Sequence, residues 1–246
     1  MNIYYYHIGY LNTAEQTRLA EKALEEAGWL ERVEAARKFR MEADRKRCLC
    51  AGLALLLALR DLGIPGRPRI LKGPDGKPYF PDLPGVHFNL SHSGNYAVCA
   101  VWDHAVGIDI QEPARADEAL VRYCCTEAER SLIEKSDSPS LIFTQIWSWK
   151  EAFVKMTGDG LRVSPRKIDV SFSGTAGSSP AAEGIPGNHP ENEPRNDMLY
   201  GCLRAADLSA LIRIRAEGID VPEMRLYGGR LGDCAVCVCG RAESGA

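Results

Sequence analysis

The spacing of apolar residues changes along the chain, and each change marks an element. Residues 3–8, "IYYYHI", form an apolar run that predicts a strand. Residues 14–27, "AEQTRLAEKALEEA", predict a helix stopped at Gly28. A second helix is predicted from about Glu31 to Leu62, basic in its first part and apolar in its last. The stretch "KGPDGKPYF" has the Pro-Asp-Gly chemistry of a turn between two strands. "VHFNLSHS", "YAVCAVW" and "AVGIDIQ" predict three short strands.

Helical spacing then returns. Thr126 and Glu129 in "CTEAERSLI" stand in a capping-box pattern before an apolar run. Ser138 and Pro139 suit the N-cap and first position of a helix that runs to Thr157 and ends at Gly158. From Lys167 onward the pattern is β again, in "KIDVSF", "MLYGCLRA", "LIRIRA" and "CAVCVC". Residues 173–197 hold four Pro and four Gly with Ile185 as their one large aliphatic residue, and predict a mobile surface insertion. "GNYAVCAV" (94–101) and "GDCAVCVC" (232–239) echo one another and hint at a duplicated α+β unit. The halves would be 1–104 and 105–246.

Composition adds constraints. The 246 residues suffice for one large domain or two small ones with a sizeable core. A net charge of −3 gives no global argument for nucleic acid or a membrane surface, so any anion site must be local. The start "MNIYYYH" lacks the features of a signal peptide, and the longest apolar run, 49–59, is too short to span a bilayer. With nine Cys, this predicts a cytoplasmic protein with reduced thiols. "DCAVCVC" reads as a buried strand using Cys as a small hydrophobe rather than as a zinc site.

Three stretches carry candidate chemistry. In "GIDIQ", Asp109 and Gln111 share one strand face, after a glycine that permits close approach, and suit a hard cation such as Mg²⁺. The bland alternative is the wet side of an edge strand. In "WSWKEAFVKMTGDGL", Trp147, Glu151 and Lys155 stack at i, i+4 and i+8, with Lys150 as an extra cation at the edge. Glu151 and Lys155 can equally be a solvated surface pair, although a Trp on the same stripe implies partial burial. In "NLSHSG", His92 lies between Ser91 and Ser93; a structural histidine is the plain reading, and the context matches no nucleophile elbow.

Taken together, "GKPYFPDLPGVHFNLSHSGNYAVCAV", "GIDIQ", "TEAE" and "WSWKEAFVKMTGDGL", with the Asp44-x-x-Arg47 pattern upstream, resemble the surfactin type of 4′-phosphopantetheinyl transferase from about Phe39 to Leu161. The resemblance implies a fold of two similar α+β halves related by pseudo-twofold symmetry, with a ligand cleft between them. It implies a holo-[acyl-carrier-protein] synthase activity. The 4′-phosphopantetheine arm of coenzyme A would pass to a serine of an apo acyl or peptidyl carrier protein, with Mg²⁺, releasing 3′,5′-ADP.

Carried over by position, Asp109 and Glu151 are the Mg²⁺ ligands. Gln111 stands where the type member has a carboxylate. Glu127 matches a third acidic position, although it is equally placed as a helix-start carboxylate. Lys155 matches the lysine that contacts the coenzyme phosphates, and Glu151 is metal ligand, base or both. Arg47, Lys77, Ser91, His92 and Lys150 match positions that contact the nucleotide or its phosphates. Arg32 and Arg40 are looser candidates for the 3′-phosphate, set against a solvated helix face. An acidic carrier is expected to dock near the exit loop "MTGDGL", and the chain length resembles the monomeric branch. Two rivals stand beside this reading: a coenzyme-binding relative without turnover, and a plain structural α+β domain.

Overall fold

The computed structural model describes residues 1–158, 160, 163–172, 200–204, 210–216 and 224–241. The insertion expected at 173–197 lies outside the described residues. The described chain divides into two compact α+β units, with a boundary between Asp103 and His104.

In the first unit, β1 (Asn2–His7) is followed by α1 (Ala14–Glu26), α2 (Leu30–Lys38) and α3 (Glu42–Asp61). A small hairpin, β2 (Leu71–Lys72) and β3 (Pro78–Tyr79), precedes β4 (His87–Ser93) and β5 (Tyr96–Trp102). The main sheet has the order β4-β5-β1-β8, where β8 is Tyr200–Arg204. The second half of α3 is apolar almost all round, from Cys48 to Leu59, and it lies buried between β1 and β5 on one side and α1 and α2 on the other.

The single helix predicted over 31–62 is two. Phe39 and Met41 are extended, each with ψ 131°, and break it into α2 and α3. Helix α1 meets both pieces. Glu21 accepts from Arg37 of α2 at 2.8 Å and from Arg45 of α3 at 2.5 Å. One acid thus joins all three helices of the unit. Burial pushes the Glu21 carboxyl up, but the two arginine hydrogen bonds outweigh it and hold it below the usual carboxylate range.

Strand β8 is a second correction. Its sequence position groups it with residues 105–246, yet it pairs with β1, Tyr4 opposite Cys202. There Tyr200 stacks on Tyr6 with ring centroids 5.0 Å apart.

The second unit begins with β6 (Val106–Gln111), then α4 (Glu118–Cys124), α5 (Glu127–Lys135) and α6 (Pro139–Thr157). Strands β7 (Ile168–Phe172), β9 (Ala210–Ala216), β10 (Met224–Leu231) and β11 (Cys234–Arg241) complete a sheet of order β6-β11-β10-β9-β7. The capping box of Thr126 and Glu129 is formed in full at the start of α5. Gly158 ends α6 in the left-handed conformation at φ 82°. Ser138 makes no cap hydrogen bond, so Pro139 alone marks that helix start. Helix α4 was not expected; it is short and started by Asp117, whose carboxylate accepts from the amides of Ala119 and Leu120. Strand β10 was also hidden, because Gly228 and Gly229 interrupt its alternation, yet it pairs with β11 along its whole length. Cys234, Cys237 and Cys239 are buried along β11 as small hydrophobes, and burial pushes the Cys234 thiol up to about 11.

The echoed sequences occupy the same place in each unit. β5 and β11 each follow a hairpin partner across a turn glycine, Gly94 at φ 53° and Gly232 at φ 58°, and each pairs antiparallel with the first strand of its unit.

Helix α6 lies directly on β6 and β11. A Cβ at position 107 would fall inside the contact radius of the Ala152 carbonyl oxygen and the Met156 amide nitrogen. Both obstacles are backbone, so no rotamer change relieves them. Gly107→Ala is therefore expected to destabilise the chain at or above the upper end of the about 1–3 kcal/mol typical of overpacking. Urea unfolding measures this. A loss below about 0.5 kcal/mol, the range of neutral surface changes, would mean that α6 does not rest on residue 107.

Candidate active site

Asp109 lies two residues beyond Gly107 on β6, so its side chain faces the same way, toward α6. Opposite faces of β6 are both covered: Ile108 and Ile110 are buried on one side, and Asp109 is only 5% exposed on the other. The wet edge-strand alternative therefore does not hold for Asp109. Gln111 follows on the same face, half-buried, at the end of the strand opposite Ala235.

Helix α6 supplies the facing groups. Trp147, Glu151 and Lys155 form a half-buried stripe, while Trp149 and Phe153 on its other side are in the core. The Lys155 ammonium donates to Asp109 Oδ1 at 2.6 Å, across elements rather than along the helix. Ser148 Oγ donates to the Asp109 carbonyl at 3.4 Å and ties the helix to the strand backbone. Burial pushes the Glu151 carboxyl above the usual carboxylate range, the Asp109 charge pushes it further, and Lys155 offsets part of this. Glu151 thus stands one helical turn before Lys155, on the stripe whose ammonium bonds Asp109.

That donor set fits a hard divalent cation. Among the described residues no cluster of three or more His, Cys, Asp or Glu is formed. Mg²⁺ keeps several waters and takes one or two carboxylates with oxygen partners. Asp109 and Glu151, with the Gln111 amide farther along the same face, are oxygen donors of that kind.

Other expected site residues are placed differently. Lys150 is the clear correction. It is no edge cation: it is 1% exposed, and its three ammonium protons go to the Cys124 carbonyl at 2.8 Å, Glu129 Oε2 at 2.5 Å and the Pro165 carbonyl at 2.9 Å. No donor remains for a coenzyme phosphate. Glu127 is on the surface, its side chain 87% exposed, and pairs with Arg130 of its own helix. This is the helix-start role. Glu129, which sequence reasoning saw only as a cap, is wholly buried and is the partner of Lys150.

In the first unit, Arg47 donates to Asp44 Oδ1 at 2.5 Å and to the Gly94 carbonyl at 2.7 Å. The Asp-x-x-Arg pattern is thus an ion pair that pins the turn after Ser91, His92 and Ser93. Ser91 is buried and His92 is exposed, as alternation on β4 requires. Lys77 is half-buried at the end of the 71–79 hairpin, where its carbonyl accepts from Gly73 at 2.9 Å. Arg32 donates to the Cys48 carbonyl at 3.3 Å, tying α2 to α3, and Arg40 is exposed.

The Glu151 shift has a signed consequence. Its folded carboxyl binds the proton more tightly than the unfolded one. Stability therefore falls as pH rises from the unfolded value through the raised folded value, and stays reduced above it. Glu151→Gln removes that penalty. Without metal, the variant is expected to melt at or above the wild-type temperature at pH 7, with the difference vanishing well below the usual carboxylate range. A variant that melts lower at pH 7 and equally at low pH would show that Glu151 is a stabilising carboxylate instead.

Comparison with known proteins meets the same strand and helix. A model of the 4′-phosphopantetheinyl transferase superfamily matches residues 105–196. The 4′-phosphopantetheinyl transferase psf-1 of Bacillus pumilus is 35% identical over 131 residues, 52% of this chain and 56% of its own. The 4′-phosphopantetheinyl transferase Sfp of Bacillus subtilis (strain 168) is 41% identical over 88 residues, 35% of this chain and 39% of its own. The 4′-phosphopantetheinyl transferase HetI of Nostoc sp. is 32% identical over 143 residues, 54% and 60% respectively. The chain thus spans about half the length of the relatives it matches. The matched segment contains the β6–α6 pair, so over residues 105–196 the chain is similar to the 4′-phosphopantetheinyl transferase superfamily, and its relatives there include Sfp-type proteins.

Proposed function

We propose that the protein transfers the 4′-phosphopantetheine arm of coenzyme A to a serine of an apo acyl or peptidyl carrier protein, with Mg²⁺, and releases 3′,5′-ADP. The observation that carries this reading is the corner formed by Asp109, Glu151 and Lys155, with Lys155 Nζ 2.6 Å from Asp109 Oδ1. It lies in the segment shared with proteins named for this transfer.

In this reading Asp109 and Glu151 hold Mg²⁺, with Gln111 beside them as an uncharged oxygen donor. The ion supplies neutralisation of the pyrophosphate and polarisation of the phosphorus under attack. The protein's own groups do the rest. Glu151 takes the proton of the carrier serine, and burial with the Asp109 charge raises its affinity for that proton. The serine oxygen bonds to the phosphorus that carries the pantetheine arm, and the bond from that phosphorus to the 3′,5′-ADP oxygen breaks. Lys155 exchanges part of its hold on Asp109 for the developing charge on the leaving phosphate. Arg47, Lys77, Ser91 and His92 receive the nucleotide, His92 being the exposed member of its strand. The duplicated halves and shared ligand cleft expected from the resemblance belong to this proposal, as do a carrier dock near the exit of α6 and a monomeric, cytoplasmic protein. Among the described residues no helix is long and apolar enough to cross a membrane.

Two measurements test it. The protein is mixed with coenzyme A, Mg²⁺ and several apo carriers, and the carriers are weighed by mass spectrometry. A phosphopantetheine adduct on a carrier serine is expected, abolished by chelation of Mg²⁺ and reduced at least about a hundredfold by Asp109→Ala. Coenzyme binding without an adduct on any carrier would favour a binding relative. In a second experiment, Gln111→Glu adds a charge to the metal shell and is expected to lower the Mg²⁺ concentration needed for half-maximal rate by about 10-fold. An unchanged Mg²⁺ dependence would place residue 111 outside the shell.

A further inference from the structure

The buried Lys150–Glu129 pair sits beside the proposed site without being part of it. Lys150 is 1% exposed and Glu129 0%. Every polar atom of the pair is used. Glu129 Oε2 accepts from Lys150 and from the Thr126 amide at 2.8 Å, and Oε1 accepts from the Val170 amide at 2.9 Å. Lys150 also donates to the ends of α4 and of the loop before β7, through the Cys124 and Pro165 carbonyls. One ion pair therefore clamps α4, α5, α6 and β7 together.

Its position on α6 gives the clamp a use. Lys150 precedes Glu151 directly, so it projects about 100° around the helix from it. Gly107 fixes the distance of α6 from β6 and offers no side chain of its own against rotation, which leaves the Ser148 tie, the core face of Trp149 and Phe153, and Lys150 to resist a roll. A roll of α6 would carry Glu151 and Lys155 past Asp109, and it would first have to pull Lys150 out of its three bonds. Breaking such a pair leaves a buried charge without compensation.

We propose that Lys150, held by Glu129, is a positioning residue that sets the rotation of α6 and thereby aims Glu151 and Lys155 at Asp109. This inference rests on the transfer reading for its catalytic consequence, but not for its structural one.

The test uses the full chain with Lys150→Met, Glu129→Gln and the double substitution. Each single change can unfold the protein; the double change removes both charges and is the informative variant, since apolar replacement of a buried pair is often tolerated. Three readouts are taken on the folded double variant. Amide hydrogen exchange at 148–156 is expected to be at least about 10-fold faster than in wild type. The Mg²⁺ concentration for half-maximal thermal stabilisation is expected to rise about 10–100-fold, and kcat to fall by a similar factor. KM for coenzyme A stays within about twofold, since Lys150 has no donor for a phosphate. A double variant with wild-type exchange, Mg²⁺ response and kcat overturns the inference. So does a rise in KM for coenzyme A of about 10-fold or more with kcat unchanged, the signature of a lost ligand. If wild type shows neither a Mg²⁺ response nor transfer, the transfer reading fails, and hydrogen exchange alone then decides whether Lys150 holds the helix.

Discussion

The close approach of α6 to β6 at Gly107 is the constraint on which the rest of the C-terminal unit depends. Only a residue without a Cβ lets the Ala152 and Met156 backbone come this near to the strand. The contact covers the polar side of β6 and takes Asp109 out of water. It also brings Lys155, on the helix stripe that carries Glu151, onto that acid. The hydrophobic core fixes the contact from behind, through Trp149, Phe153, Ile146 and the cysteines of β11.

Three ionic clusters among the described residues each place at least one acid out of water, and they differ in how completely they are satisfied. Glu21 is shared by Arg37 and Arg45, and its carboxyl is held low. Glu129 and Lys150 are wholly buried and every donor and acceptor is used. Both sets hold helices in place. In the third set Asp109 accepts from the Lys155 ammonium, while burial and the Asp109 charge raise the Glu151 carboxyl and Lys155 offsets part of this. Glu151 is the acid among these groups whose carboxyl is held above its usual range, and it lies on the helix stripe whose Lys155 bonds Asp109.

The N-terminal unit uses the same economy on another turn. Arg47 is spent on Asp44 and on the Gly94 carbonyl, so its first effect is to fix the turn that carries His92. Its guanidinium still has donors beyond those two bonds. One arginine can therefore hold the turn and face an anion.

Much was legible in the linear chain. Turn glycines, the Thr126–Glu129 box, the Gly158 stop and the strand "GIDIQ" follow from local rules, because φ, capping and alternation are properties of neighbouring residues. The i, i+4, i+8 stripe of Trp147, Glu151 and Lys155 is likewise fixed by helix geometry. The rest was decided in three dimensions. The break at Phe39–Met41 places Arg37 and Arg45 on two helices that share one acid of a third, a pairing that local rules do not announce. Strand β8 joins β1 through tyrosines far apart in sequence. Lys150 and Glu151 are adjacent and both charged, and nothing local separates them. Only the partner at position 129 sends one into the core as a clamp and leaves the other at the site. Sequence determined which residues share a face; the tertiary structure decided which faces meet, since burial and long-range pairing set the free energy of a charge and neighbouring residues do not.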